Sequence, residues 1–568
     1  MKMNYRENYE KWLASDVLLP EDKAELEAIA GDEGEIEERF YRELEFGTGG
    51  MRGIIGIGTN RINIYNVRRA SCGVAEYVKK EGADAAKAGV LIGYDTRNFS
   101  KKFAEETASV LCANGICVHL FPIVHSVPEV SFGIRELGCA AGVMITASHN
   151  PKEYNGYKVY GPDGGQLPPD AAQTVMNAIE KCDVFADVKL MSLDNAKAAG
   201  LLSYVGSEQD EKFIETVMCQ QVKPEAVREV ADTMKLIYTP FHGTGSRPVK
   251  EVLKRIGFKN LLVVAEQDTE DGNFPTVKSP NPENKEGFTI AIKMAKENDV
   301  DLIIGTVPDC DRVGIVVRDA AGEYRALTGN QTGALLCEYI LRAKKESGTL
   351  PKNGVIIKTI VTTELAAAIA KAYGVSIVNT LTGFKYIGEK MTEYDATGEY
   401  TYLIGFEESY GYLVGMHARD KDGVVSAMLI AEMAAYYKTK GMSPYEALCD
   451  IYKKYGYYAE KTVSFTMPGK DGMEKMAALM AKLRREPVES CAGLSVREST
   501  DFENDDTGLP KSDVLRYRFS DGKSQVVIRP SGTEPKIKLY ISTSAADEET
   551  ATKLVEAILE DMKNQLNV

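Results

Sequence analysis

The sequence predicts an α/β protein in which three similar mixed α/β domains are followed by a smaller α+β domain. A plan of strand, polar loop, amphipathic helix, glycine and strand occurs three times. The last hundred or so residues depart from it. At 568 residues the chain is also too long for one core, so about three to five domains are expected.

The first repeat, VLIGYDTRNFSKKFAEETASVLCANGICVHLF, starts at Val90, and its Ala104, Ala108 and Leu111 recur at helical spacing. The second, KLIYTPFHGTGSRPVKEVLKRIGFKNLLVV, starts at Lys235, and the third, VIIKTIVTTELAAAIAKAYGVSIVNT, at Val355. A glycine closes each helix before a short β-rich run. Strand, helix and strand in that order imply a crossover unit in a mainly parallel sheet. Each repeat leads to a further apolar strand that empties into a polar loop: AAGVMITASHNP, VDLIIGTVPDCDR and YTYLIGFEESYG. Ligands of open α/β sheets gather at such carboxyl ends. The expected domains are 1–206, 207–325 and 326–455. The fourth, 456–568, has the strand-like KTVSFTM, a helix Met473–Arg485, the pair SQVVIRP and KIKLYIST around PSGTEP, and a closing amphipathic helix.

Composition narrows the function. Apolar residues make up 44% and charged residues 27%, as in soluble globular proteins. A net charge of −15 argues against nucleic acid as a partner, while leaving room for a local basic pocket. No apolar run approaches the roughly 20 residues of a membrane span. The N-terminus, MKMNYRENYEKWLASD, lacks a signal-peptide core, so a cytoplasmic location is expected. Ten cysteines without a Cys-x-x-Cys pair read as reduced core thiols rather than a zinc or redox motif.

The loops carry the chemistry. Ser148 in TASHNP is either a turn serine or a nucleophile, which would need activation or a strong electrophile. His149 follows it, and neighbours on extended backbone point apart, so a direct Ser-His relay is not expected. His149 would instead position a phosphate, with Lys158 supplying positive charge. In PDCDR, Asp309 and Asp311 alternate on extended backbone and could grip one cation, with Arg312 behind them. Mg²⁺ suits a few carboxylates plus phosphate oxygens, although a lone D-x-D is more often a solvated acidic loop. GFEES at 405–409 offers carboxylates and a hydroxyl for sugar hydroxyls. RPSGTEP at 529–535 has an arginine fork, hydroxyls and a glycine for a phosphate. FGTGGMRG and HGTGS are equally anion-friendly loops or ordinary turns. None matches a P-loop or dinucleotide fingerprint. Together, serine, paired aspartates, sugar loop and phosphate cradle suggest phosphoryl transfer on a sugar.

With these motifs in this order the chain resembles the α-D-phosphohexomutase superfamily, in its phosphoglucomutase and phosphomannomutase branch. TASHNP is similar to the active-serine loop, PDCDR to the metal loop, GFEES to the sugar loop and RPSGTEP to the phosphate loop. FGTGGMRG, GYDTR, DGNFPTVKSPNPE, TGFKYIG and RDKDG match as well. The resemblance implies four domains around a central cleft and an intramolecular phosphotransferase of the isomerase class in carbohydrate metabolism. Ser148 would be carried as a phosphoserine, with Mg²⁺ held by Ser148, Asp309 and Asp311, and glucose 1,6-bisphosphate as intermediate and activator. Arg52, His149, Lys158 and Lys421 would surround the transferring group, with Lys421 the first candidate for general acid/base and Lys158 the second. Arg312, Gly383, Glu407 and Ser409 would bind substrate, and Arg529, Ser531, Gly532 and Thr533 the idle phosphate.

One position departs from the pattern. The family's metal loop carries three alternating aspartates, and here the first is Val307, which predicts weaker Mg²⁺ binding with water in the vacant place. A relative that binds sugar phosphates with little turnover is the harsher alternative. Interconversion of glucose 1-phosphate and glucose 6-phosphate is the first expectation; mannose and pentose phosphates follow, with TGFKYIG the place for the choice. A serine phosphatase would have no need of RPSGTEP. The expected partner is a small sugar phosphate, with neither nucleic acid nor membrane, and the protein would act as a monomer or homodimer.

Overall fold

A computed structural model describes residues 4–47, 50–467, 472–531 and 536–567. The chain forms two compact units. One comprises Met1–Leu327, Gly388–Gly398 and Tyr410–Gly441; the other comprises Thr328–Ile387, Glu399–Ser409 and Met442–Val568.

The three repeats fold alike. In the first unit, strand Val90–Tyr94 pairs in parallel with Val118–Leu120 on one side and Ala141–Ile145 on the other. In the same unit, Lys235–Thr239 pairs in parallel with Asn260–Val263 and Leu302–Thr306. In the second unit, Gly354–Thr359 pairs in parallel with Ser376–Thr380 and Thr401–Phe406. Each repeat thus places its first strand centrally, and the strand that ends in a polar loop always lies beside it. The central strands are buried along nearly their whole length, which explains their unbroken apolar runs. The intervening helices are Ser100–Ala113, Ser246–Arg255 and Leu365–Tyr373. Gly115, Gly257 and Gly374, which follow them, have φ of 76°, 118° and 71°, the left-handed region where a side chain would be strained.

Antiparallel additions make the sheets mixed. Tyr154–Tyr160 runs against Ala141–Ile145 and Gly50–Ile54, which puts Lys158 and Arg52 on strands bordering the serine loop. Val313–Arg318 returns against Leu302–Thr306. Three N-terminal helices, Tyr5–Leu13, Pro20–Ala28 and Glu33–Phe40, pack on the first sheet's core through Tyr9, Trp12, Leu26, Ile36 and Phe40. Trp12 meets Phe40, Tyr65 and Phe185 edge-on, contacts worth about 1 kcal/mol each beyond their burial.

The C-terminal domain is an antiparallel sheet in the order Tyr457–Thr466, Lys536–Ala545, Gln525–Pro530, Leu515–Phe519, Leu494–Asp501, Ser490–Cys491. Helices Gly472–Arg485 and Glu548–Leu566 supply Met480, Ile558 and Met562 to its core. Strands Leu494–Asp501 and Leu515–Phe519 were not anticipated, because LSVRESTD and LRYRF carry charges on an outward face. Among the described residues no helix is long and apolar enough to cross a membrane. All ten cysteines are free. Five are buried as expected of core thiols, but Cys72, Cys117, Cys182 and Cys449 are half-buried and Cys219 is exposed.

Candidate active site

The first unit gathers Ser148, His149, Lys158, Asp309, Asp311, Arg312 and Lys421. Ser148 follows strand Ala141–Ile145 and takes φ 53°, a conformation that costs a non-glycine residue on the order of 1 kcal/mol. Arg97 holds the loop there. Its guanidinium donates to the carbonyls of Ser148 (2.6 Å), Asn150 (2.6 Å), Pro151 (2.9 Å) and Tyr154 (3.0 Å). Asp95 backs Arg97 at 3.3 Å, and both side chains are fully buried. Phe274 lies against the guanidinium carbon at 5.0 Å. Arg52 is exposed on its strand and donates to Asn150 Oδ1 at 2.9 Å. The Ser148 amide donates to Thr146 Oγ1, which itself donates to Asp309 Oδ2.

The left-handed turn overturns one sequence expectation. Ser148 Oγ lies 3.3 Å from His149 Nδ1, because the extended geometry that would separate the two side chains is absent. A relay still does not follow. Arg312 donates to the same Nδ1 at 2.9 Å, which puts the imidazole proton on Nε2. Burial, with Arg312 and Arg52 alongside, holds the His149 pKa well below the ordinary imidazole value. The fold thus favours the neutral imidazole, with Nδ1 already accepting from Arg312.

Asp309 and Asp311 do face one another's partners, though not by extended alternation: Cys310 between them has φ 52°. Lys158 Nζ donates to Asp309 Oδ2 at 3.1 Å and to Asp311 Oδ2 at 3.4 Å. Lys421 Nζ reaches Asp311 Oδ2 at 3.3 Å and Asp420 Oδ1 at 2.7 Å. Asp420 is fixed by the Tyr160 hydroxyl and Gln166. Burial opposes ionisation of Asp311, yet Lys421, Lys158 and Arg312 outweigh it and hold the carboxyl well below its usual range. Burial likewise opposes ionisation of Asp420, and Lys421 with Lys158 overcomes it. Three carboxylates against two ammonium and two guanidinium groups leave an excess of positive charge, suited to a phosphoryl dianion. Ser148 Oγ lies 3.5 Å from Asp311 Oδ1, within reach of this group.

The second unit holds the other two loops. The Gly383 amide donates to Glu407 Oε1 at 3.0 Å. Thr359 and Thr362 both donate to Glu408 Oε2 at 3.3 Å, and burial, then Glu407, pushes the Glu408 carboxyl up to about 7. Tyr540, on the strand paired with Gln525–Pro530, shares a core cluster with Ile360, Val361 and Leu381, so the strands that carry the phosphate-type loop pack against the domain that carries the sugar-type loop. Ser409 is half-buried; Ser531 is as well, its amide donating to the Lys536 carbonyl. Gly532 and Thr533 lie outside the described residues.

Comparison with known proteins matches the domains that carry these loops. Residues 43–184, 211–322 and 328–455 match α/β/α domains I, II and III of phosphoglucomutase/phosphomannomutase, and residues 464–561 match its C-terminal domain. The chain belongs to the phosphoglucomutase/phosphomannomutase family. A phosphoglucomutase of Staphylococcus saprophyticus is 35% identical over 568 residues, covering 98% of this chain and 99% of its own. One from Staphylococcus epidermidis is 38% identical over 523 residues, 90% and 92% of the two chains. Among solved structures, a phosphoglucomutase/phosphomannomutase family protein of Burkholderia thailandensis superposes with TM-score 0.64 at 18% identity over 91% of this chain and 97% of its own. Parafusin, a phosphoglucomutase of Paramecium, gives 0.68 at 19% over 93% and 95%. These two show the shared fold.

The site can be tested for the cation that this family implies. Asp309 Oδ2 is used by Thr146 and Lys158, while its Oδ1 is buried without a hydrogen-bond partner among the described residues. A buried carboxylate oxygen with nothing to accept from is what a hard cation would satisfy. Ser148 and Asp311 stand beside it, so the donors present fit, one short of the family's three aspartates. Val307, in the missing aspartate's place, is fully buried. A second group of metal-type ligands, His125, Glu129 and Asp210, was not singled out from sequence. There His125 Nδ1 bonds the Ile123 carbonyl and Nε2 bonds Asp210, both at 2.9 Å. Two acceptors require two ring protons, so the hydrogen bonds describe a buried imidazolium. The adjoining Val127 amide donates to the Asp309 carbonyl, bracing the aspartate loop.

Sequence reasoning also missed the roles of Arg97, Asp420 and Glu408. Each lies within or beside a quoted motif (GYDTR, RDKDG, GFEES), and that proximity was the available signal.

Proposed function

We propose that the protein is a phosphoglucomutase that interconverts glucose 1-phosphate and glucose 6-phosphate through a phosphoserine at Ser148 and a glucose 1,6-bisphosphate intermediate. The observation that carries the reading is one buried serine hydroxyl set against Asp311 and among Lys158, Lys421, Arg312 and Arg52. In the first half-reaction the P–O bond to Ser148 Oγ breaks, and a bond forms to the free sugar hydroxyl, whose proton leaves to a base. In the second, the other phosphoryl group returns to Ser148 Oγ, and the sugar oxygen it leaves takes a proton. Lys421 is the acid/base group and Asp420 orients it. Lys158, between Asp309 and Asp311, serves as a fixed counter-charge. Phospho-Ser148, Asp309 and Asp311 would hold Mg²⁺, which supplies neutralisation of the phosphoryl charge when bound.

In the second unit, Glu407, Ser409 and the Gly383 segment would bind sugar hydroxyls, and Arg529 with Ser531, Gly532 and Thr533 the second phosphate. The domains are taken as 1–206, 207–325, 326–455 and 456–568, and the enzyme as cytoplasmic, a monomer or homodimer. Val307 favours one alternative, a weakly active sugar-phosphate binder. Phosphopeptide mapping after incubation with glucose 1,6-bisphosphate tests the reading: one phosphoryl group on Ser148 is expected, and label elsewhere or none would overturn it.

A further inference from the structure

Away from Ser148, a pocket of about 670 Å³ in the first unit is lined by two cysteines, Cys72 and Cys182. Cys72 lies on helix Ile64–Lys80, and Cys182 caps helix Pro169–Lys181. The helices pack so closely that a Cβ added at Gly73 would meet the Val175 carbonyl at 2.9 Å. Arg69 ties them further, its Nε donating to the carbonyls of Ile179 and Cys182, both at 2.9 Å. Cys72 lies one turn after Arg69 on the same helix face, so the thiol stands beside the guanidinium that holds the Cys182 carbonyl; both thiols are half-buried and open to the pocket rather than sealed in the core. Lys79, Lys80, Lys181 and Lys189 line the same pocket against Glu76 and Asp187, a positive surround that favours thiolate.

We propose that Cys72 and Cys182 are a redox modification site, a thiol pair that hydrogen peroxide converts to a reversible disulfide. Cys182 is the attacking sulfur. The neighbouring Cys72 thiol and the Arg69 guanidinium lower its pKa, while Cys182 and burial raise that of Cys72. The Cys182 thiolate attacks one peroxide oxygen and the O–O bond breaks, giving a sulfenic acid and hydroxide, which is protonated to water. Cys72 sulfur then attacks the sulfenic sulfur; the S–S bond forms and hydroxide leaves with the Cys72 proton as a second water. Two thiols are oxidised and one peroxide is reduced. A dithiol reverses the step by exchange. No motif marks the pair, because the two are 110 positions apart in sequence and meet only in the fold.

The test is peptide mapping of the full-length protein after limited hydrogen peroxide, with and without later dithiothreitol. A Cys72–Cys182 linked peptide that dithiothreitol releases is expected, with exposed Cys219 as the internal control for unassisted oxidation. Cys72→Ser should leave Cys182 as a sulfenic acid trapped by dimedone, and Cys182→Ser should leave Cys72 a thiol. Both cysteines remaining thiols while Cys219 oxidises would overturn the proposal. So would separate oxidation of the two to sulfinic acids, or links to Cys112 or Cys117 instead.

Discussion

Arg97→Met is the perturbation whose size the structure sets most clearly. Methionine keeps the apolar stem but removes the fork that serves four carbonyls of the serine loop and the partner of Asp95. Burial pushes Asp95 up and Arg97 down, so each depends on the other for its charge. Removing one member of a buried pair costs about 3–5 kcal/mol, and a hydrogen bond to a charged group is worth about 1.5–3 kcal/mol. These terms overlap, so a loss of about 3–5 kcal/mol is predicted rather than their sum. Adding Asp95→Asn removes the stranded charge and should return about 1–2 kcal/mol. The single tryptophan, Trp12, is buried in the same unit, so its fluorescence during urea unfolding reports on the unit that contains the loop. An Arg97→Met protein within about 0.5 kcal/mol of wild type, the scale of an unremarkable surface change, would refute the clamp.

Other outcomes follow from the same geometry. His149 stays neutral when folded but takes a proton below about pH 6.5 when unfolded, so stability falls as pH drops below that value. For this one group the loss between pH 7.5 and 5.5 is about 1 kcal/mol; His149→Gln should remove that part of the slope in the Trp12 transition, and an unchanged slope would contradict it. Lys421→Met should lower kcat by about 10²–10⁴, the range for general acid/base groups, with KM little changed. If Lys158→Met instead gives the larger kcat loss, the two lysines exchange roles. Val307→Asp should lower the Mg²⁺ concentration that half-saturates activity; equal titrations of the two proteins would show that the missing aspartate does not matter.

How far the sequence could be read depends on where the information lay. The repeats were legible because buried parallel strands such as VLIGY and VIIKT are continuous apolar runs, and a glycine ends each helix. The loops were legible because they follow those strands directly. What escaped was backbone conformation and long-range pairing. Ser148 and Cys310 adopt left-handed φ without being glycine, so alternation arguments misplaced His149 and paired Asp309 with Asp311 by a route the backbone does not take. Arg97 lies 51 positions from Ser148, and GYDTR marks it as part of a motif without showing which loop it anchors. Strands Leu494–Asp501 and Leu515–Phe519 were hidden by charges that face outward.

The central claim is that Ser148 relays phosphoryl groups on a hexose phosphate. The direct measurement is isomerisation of glucose 1-phosphate with Mg²⁺ and a trace of glucose 1,6-bisphosphate, in wild type and Ser148→Ala, with mannose 1-phosphate and ribose 1-phosphate alongside. Turnover fastest on glucose 1-phosphate and abolished in Ser148→Ala is predicted. Turnover that survives in Ser148→Ala, or wild-type protein that binds these sugars without converting any, would contradict it.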